Sequence, residues 1–401
     1  MISESTLYWL WLSSLTEVNL NSIAALLDKF KTPEAAFHSS QGAILAVEGI
    51  RRSDAEILER RDLTVARAIP EKCIRAGARY ITMEDAEYPQ RLKEIYAPPV
   101  VLYVRGKLPQ IDREVPVAVV GTRNASPYGL KMGKSIAYEI SKSGGVVVSG
   151  LTAGIDASAA EGALLAGGVC IGVLGTPIDA ARNNLACSVC ETGALISEYA
   201  PGTHQMKTFF RARNRISAGI SVGVVAVEAP EKSGTRLFVA EALEQGKQIF
   251  AVPGNADSEN SAGTLRFLKE GAQLVTHGWE VAEELNRVYP GVLDISVRDT
   301  VPEFSCGQES NPQPVQIRRK KAKRIREAVK QTEPDKAPQR AIQDLSEIQQ
   351  KIVDAVTQGR TTVDAIIDAT GLLAPVVFAQ LTLLEIKGVV KKDPGAGIIL
   401  K

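Results

Sequence analysis

The sequence predicts an α/β protein: a doubly wound, mostly parallel sheet covered by helices, preceded by a small helical domain and followed by a winged-helix-like one. Three observations lead there. Six short β-branched runs, at 117–120, 146–148, 169–174, 195–197, 222–227 and 248–252, are apolar throughout instead of alternating, as strands buried on both faces are. Helical stretches separate or follow them, at 129–143, 156–166, 210–219, 235–245 and 263–270. The chain of 401 residues, 45% hydrophobic, is too long for one ordinary core and suits two or three domains.

Residues 1–85 read as a domain of short helices, with 22–30, 32–38 and 53–59 at helical spacing between Pro and Gly punctuation and 7–15 as a helix face. Between Pro89 and Pro116 the apolar run 100–104 ends at Arg105-Gly106 and reads as a strand feeding the core, which occupies 86–286. Several core helices close on Gly144, Gly246 or Gly271, since glycine accepts the left-handed turn at a helix end. Residues 287–342 are rich in Pro, Gln and Lys and read as a flexible basic linker. Within it, 318–326 puts seven cations in nine positions, a solvated charge run whose alternative reading is an accessory polyanion contact. Helical periodicity returns at 345–356, 362–369 and 374–387, followed by apolar residues on either side of Pro394-Gly395. Three helices and a hairpin describe a winged-helix-like domain over 343–401.

The net charge of +1 does not by itself announce a nucleic-acid partner. No apolar run approaches the roughly 20 residues that span a bilayer, and no signal-type leader opens the sequence, so no membrane partner is expected. Five cysteines make no disulfide framework and fit a reducing compartment, which makes the cytoplasm the expected location.

In an open parallel sheet ligands bind beyond the carboxyl ends of the strands. Two of those ends carry Gly121-Thr122-Arg123 and Ser149-Gly150-Leu151-Thr152-Ala153-Gly154. Such loops let backbone amides approach an anion, and with Arg123 supplying charge they form a candidate phosphate cradle; tight strand-to-helix turns are the bland alternative. Neither loop is a dinucleotide fingerprint, and no Walker-type loop is present. The segment from Lys207 to Arg215 interleaves Lys207, Arg211, Arg213 and Arg215 with Phe209 and Phe210. Phosphates need cations and unpaired bases need flat surfaces, so this is a single-strand-binding composition. Arg213 and Arg215 cannot point the same way on a helix, so at least one is expected to be structural, paired with Glu228 or Asp156.

Catalytic constellations are thin. None of the three histidines stands beside a nucleophile, and Cys187-x-x-Cys190 lacks a second pair, so neither catalysis nor a metal site is expected. Asp156 reads more economically as a helix N-cap than as a general base.

Six stretches in register carry a family resemblance: 119–123, 149–156, 197–199, 213–216, Val227-Glu228-Ala229 with Ser233-Gly234-Thr235, and 250–254. Together they resemble the DNA processing protein A (DprA/Smf) family. The resemblance implies a helical N-terminal domain of the SAM or helix-hairpin-helix kind, an extended Rossmann-like DNA-binding core and a winged-helix-like C-terminus. It implies a binding protein without cofactor that takes single-stranded DNA, protects incoming strands in natural transformation and helps load the RecA recombinase. Carried over to this sequence, the DNA-binding residues are Gly121, Thr122 and Arg123; Ser149, Gly150 and Gly154; Lys207, Phe210 and Arg211; and Arg213, Asn214 and Arg215, with Phe210 as the base-contacting aromatic. Leu265, Leu268 and Leu274 mark the implied homodimer surface, which the RecA contact overlaps. Ala160 departs from the family, which has a His there, and the loop after Asp179 is shorter. The main alternative is a nucleotide-cleaving relative of the same fold with Glu198 or Glu228 in its pocket.

Overall fold

The computed structural model describes residues 3–298, 347–359, 361–370, 372, 377, 381, 384, 389–393 and 397–400. The chain divides into two compact units, Met1–Asn311 and Pro312–Lys401.

The first unit opens with six helices: α1 (Glu4–Ser14), α2 (Leu20–Phe30), α3 (Pro33–His38), α4 (Gln41–Leu45), α5 (Arg52–Leu58) and α6 (Thr64–Ala76). Ser3, Asn19, Thr32 and Ser40 each accept a first-turn amide of the helix they precede, which sets four of the six start points. In α1 every residue from Leu7 to Leu12 is buried, so the helix is apolar all round and not on one face as the sequence suggested. It lies against β1 (Arg79–Thr82) and, beyond the short α7 (Gln90–Lys93), β2 (Val101–Gly106), with Ser13 Oγ 2.8 Å from the Tyr103 hydroxyl.

From there strand and helix alternate: β3 (Pro116–Val120), α8 (Pro127–Lys142), β4 (Val146–Ser149), α9 (Ile155–Leu165), β5 (Cys170–Leu174), α10 (Asn184–Thr192), β6 (Ala194–Ser197), α11 (Thr208–Ile220), β7 (Gly223–Ala226), α12 (Gly234–Glu244), β8 (Gln248–Ala251), α13 (Ala262–Lys269), β9 (Gln273–Leu274) and α14 (Gly278–Val288). One nine-stranded sheet results, in the order β1-β2-β6-β5-β4-β3-β7-β8-β9. Strands β3 to β9 run parallel, and β1 and β2 add an antiparallel border. All six runs read as strands are strands, and the fold is the expected Rossmann-like one.

Successive residues of β3 serve opposite faces, as the pleat requires. Val117 and Val119 join Ile155 and Trp11 in one apolar cluster, while Ala118 and Val120 join Ile216 and Phe238 in the other. The first cluster reaches from the parallel strands into α1, so the N-terminal helices share a core with the sheet. The chain walks outward from β3 to β6, then crosses back to β7 on the other side of β3. That reversal opens a crevice between the ends of β3 and β7.

Residues 287–298, the start of the predicted linker, belong to this fold. Leu293 is buried in the first cluster, and the amide of Asp294 donates to Ser143 O at 2.9 Å. The remainder of the linker, including the basic run 318–326, lies outside the described residues.

In the second unit α15 (Glu347–Thr357), α16 (Val363–Thr370) and the antiparallel pair β10 (Val390–Asp393) and β11 (Gly397–Leu400) match the expected helices and hairpin. Ile352, Ile366, Leu381, Leu384, Val390 and Ile398 form its core. Most of the predicted helix 374–387 lies outside the described residues. Among the described residues no helix is long and apolar enough to cross a membrane.

Candidate nucleic-acid interface

A cleft of about 540 Å³ occupies the crevice at the carboxyl ends of β3 and β7. Gly121, Thr122 and Arg123, from the turn after β3, form one wall. Lys207, Phe210, Arg211, Arg213 and Asn214, from the start of α11, form a second. A third comes from Pro230 and the residues around the start of α12. Eight of the twelve residues predicted to meet DNA are thereby brought to one concave surface, from segments roughly ninety positions apart in sequence.

The two adjacent phenylalanines have separate tasks. Phe209 is buried and stacks on Tyr199, with ring centroids 3.5 Å apart and planes at 9°, which seats α11 on the sheet. Phe210 is half-buried in the cleft with Gly175 beneath it and the Arg123 guanidinium above, 5.4 Å from the ring centroid. Arg123, Lys207 and Arg211 are exposed and form no ion pair among the described residues. Three free cations around a flat ring offer charge for phosphates and a stacking face for a base.

Beneath this surface lie the other predicted residues. Arg213 lines the floor but is buried, and its terminal nitrogen donates to Val173 O at 3.2 Å. Its neighbour Asp156 accepts from the Thr152 hydroxyl at 3.0 Å. Burial pushes the Asp156 carboxyl up, against the opposing pull of Arg213, and burial also lowers the Arg213 guanidinium, against the pull of Asp156. The N-cap of α9 is Gly154 and not Asp156, which sits inside the first turn.

Ser149, Gly150 and Gly154 do not line the cleft. Ser149 is buried, donates to Asp156 O at 2.7 Å and accepts the Leu151 amide at 3.0 Å. A Cβ on Gly150 would run into the Arg213 guanidinium and the Asp156 carboxylate. Gly154, at φ +82°, presses against the carbonyls of Thr122 and Arg123, where any side chain would collide. The first α9 amide, on Ile155, donates to Thr122 O at 3.2 Å. The two loops read as a cradle therefore close on each other, and their glycines serve that closure.

Arg215 faces away from the cleft, toward a groove of about 900 Å³ between α11 and the α1–α2 connection. It is buried, pairs with both oxygens of Glu198 at 3.0 and 2.5 Å, and donates from Nε to Ala97 O at 2.8 Å. The structural arginine expected beside Glu228 or Asp156 is Arg213, next to Asp156, whereas Arg215 is held by Glu198. Burial works to lower the Arg215 guanidinium, but Glu198, with Tyr199 and Tyr88, brings the net shift upward. Glu228 accepts from the amide and hydroxyl of Ser126, at 2.9 and 2.5 Å, and from Asn260 at 3.2 Å, so it secures the start of α8. Each of the two carboxylates offered for a nucleotide-cleaving reading, Glu198 and Glu228, is engaged by protein groups.

Leu265 and Leu268 lie on α13 and Leu274 on the border strand β9, outside the cleft; Leu274 is 55% exposed. Lys232 to Thr235 also line the cleft, although they are absent from the twelve residues that the family resemblance implies. Ser233-Gly234-Thr235 stood in the sequence only as one of the stretches that carry the family resemblance.

The model for DNA recombination-mediator protein A matches residues 79–286, and the DprA winged helix domain matches 336–396. The chain belongs to the DprA family. Protein Smf of Synechocystis sp. is 30% identical over 417 residues, 98% of each chain. DNA processing protein DprA of Bacillus subtilis is 36% identical over 213 residues, 52% of this chain and 72% of that one. The X-ray structure of DprA from Streptococcus pneumoniae superposes with a TM-score of 0.60 at 30% identity, covering 71% of this chain and 98% of that one. Every cleft residue falls inside the matched DprA core. The DprA match over 336–396 also makes the C-terminal region a winged helix domain.

Proposed function

We propose that this DprA-family chain binds single-stranded DNA in the cleft at the β3–β7 crossover. The carrying observation is the Arg123–Phe210 stack, flanked by the unpaired cations Lys207 and Arg211. The half-buried ring and the guanidinium over it give an unpaired base a flat surface to stack on, while the flanking charges meet the phosphates on either side. A duplex keeps its bases stacked inside and leaves the ring without a partner. Ser149, Gly150, Gly154 and Arg213 act in this proposal from below, by fixing the walls. The strand so held is one entering by natural transformation or exposed in recombination, protected by the protein and passed to RecA.

We assign the chain four regions: a helical domain that ends before β1, the DNA-binding core from β1 to residue 298, a basic linker to 342 and the winged helix domain from 343; the bounds 85 and 286 expected from sequence shift because β1 and residues 287–298 pack with the core. The apolar border formed by Leu265, Leu268 and Leu274 is assigned to a homodimer contact, with RecA meeting the same surface; exposed Leu274 on a border strand supports this. The function needs no cofactor.

The test is fluorescence anisotropy of a labelled oligo-dT with a duplex of equal length as comparator and salt varied. Tight, salt-sensitive binding that favours the single strand is expected. An absence of binding at low salt overturns the proposal.

A further inference from the structure

The helices that start at the carboxyl ends of the inner strands differ in how their first amides are used. At α8 the Ser126 hydroxyl accepts the Gly129 amide at 3.1 Å, and Glu228 accepts the Ser126 amide. At α9 the Ile155 and Ala157 amides donate to the carbonyls of Thr122 and Thr152, at 3.2 and 2.9 Å. Protein groups therefore fill both positive helix ends.

At α12 the end is open. Ser233 is the N-cap, in extended conformation at φ −119° and ψ 156°, and makes no side-chain cap bond. Among the described residues the amides of Gly234 and Thr235 donate to no protein group. Three further observations show polar groups here without protein partners among the described residues. The Thr235 side chain is only 6% exposed, lines the cleft and makes no hydrogen bond among the described residues. The Ser233 hydroxyl is shut away from the protein's surface without a partner. Arg213, 8% exposed and on the same cleft, keeps its Nε unpaired. Exposed Lys232 adds a free cation at the rim, and Gly234 presents bare backbone, with nothing within 4 Å of where a Cβ would stand.

Buried donors left without acceptors are costly unless an acceptor arrives. Those at the α12 start share one cleft with Arg123, Lys207 and Phe210, a concentration of donors and cations that suits an acceptor carrying negative charge.

We infer that the N-terminus of α12, with Lys232, Ser233, Gly234 and Thr235, is a second phosphate subsite that takes a backbone phosphodiester of the bound strand. The inference rests on the single-strand reading above and extends it: Arg123 and Lys207 meet one phosphate and α12 meets another, so the cleft grips a strand at two points on opposite walls. A phosphate group is the shared chemistry, and a free mononucleotide is the other source it has.

Gly234→Pro tests the subsite with little disturbance. Proline is favoured at the first helical position, the extended Ser233 backbone suits the residue before a proline, and the change deletes one amide donor. Gly234→Ala keeps the amide and serves as control. With labelled oligo-dT, Gly234→Pro is expected to bind about tenfold more weakly than wild type, the worth of one hydrogen bond to a charged group, while Gly234→Ala binds as wild type. Both variants are expected to melt together. Equal binding by wild type and Gly234→Pro overturns the inference and leaves the single-strand reading standing. Equal weakening of both variants also overturns it, because the loop and not the amide is then at work. Titration with thymidine monophosphate separates the sources: if Gly234→Pro loses that mononucleotide but holds the oligonucleotide as wild type does, the strand assignment fails. A wild-type protein that ignores oligo-dT at low salt removes the single-strand reading and this subsite with it.

Discussion

Arg215 meets Glu198 through both terminal guanidinium nitrogens, at 3.0 and 2.5 Å, on the side of α11 turned away from the cleft. Arg213, two residues earlier, donates to Val173 on the cleft side. Two positions on a helix are separated by about 200°, so one helix sends one guanidinium beneath the cleft and the other into a buried pair. The buried pair joins α11 to the end of β6, while Arg215 Nε adds the loop before β2 through Ala97.

Breaking that pair is expected to cost stability and leave the cleft's chemistry alone. Removing one partner of a buried ion pair destabilises by about 3 to 5 kcal/mol, so Arg215→Ala is expected to lose that much in denaturant unfolding. Arg215→Lys does not restore it, because an ammonium cannot make the two-point fork. Under conditions where the variant is folded, the salt dependence of oligo-dT binding is expected to match wild type. A changed slope would put Arg215 among the groups that neutralise phosphates.

The charged and flat parts of the cleft are separable by salt. Lys207→Glu is expected to weaken binding to all sequences and to flatten the logarithmic salt slope by about 0.7 for each phosphate that is no longer neutralised. Phe210→Ala is expected to lose roughly 1 to 3 kcal/mol of stacking with the slope unchanged. Anisotropy titrations at several salt concentrations read both. An unaltered affinity in Phe210→Ala would make that ring a packing residue on Gly175.

Alkaline pH gives the third prediction. Burial raises the Tyr103 hydroxyl well above its ordinary value of 10.0, against the smaller lowering from its Ser13 hydrogen bond, and burial pushes the Cys170 thiol up to about 12. Both groups keep their protons in the folded state at pH values where the unfolded chain releases them. Their contribution is therefore complete below the ordinary values and is lost as pH rises through the raised ones. Thermal midpoints measured from about pH 8 to 11 are expected to fall less steeply in Tyr103→Phe than in wild type. The offset between the two at the lower end reports the missing bond to Ser13. Parallel curves would show that Tyr103 ionises in the fold as freely as outside it.

The inner sheet was legible because its strands are written as uninterrupted apolar runs. Strand β1, Arg-Tyr-Ile-Thr, was not, since it pairs on one side only and keeps half-exposed residues; β9 is two residues long. Helix α6 carries Pro70 in its interior, which reads as a break, and α10 is masked by Cys187 and Cys190, whose spacing spells a metal or redox pair before it spells a helix. In the cleft, the exposed cations and a neighbouring aromatic pair were legible from composition, and the family resemblance picked Phe210 from that pair. The burial of Arg215 was not, because its partner Glu198 stands at the end of a different strand and a paired guanidinium is spelled like a free one. The start of α12 was visible only as a family motif, since an unfilled amide leaves no mark in a sequence.

The contact between Gly154 and the Thr122 and Arg123 carbonyls, with the Thr122 amide bonded to Glu228 O at 2.8 Å, fixes the base from which Arg123 rises. That wall is organised before any ligand arrives, so its backbone gives up little freedom on binding, and the ordering cost falls on the ligand. If the cleft holds a single strand as proposed, selectivity among strands is expected to follow how readily each one unstacks and bends to the groove, and not which base edges it presents.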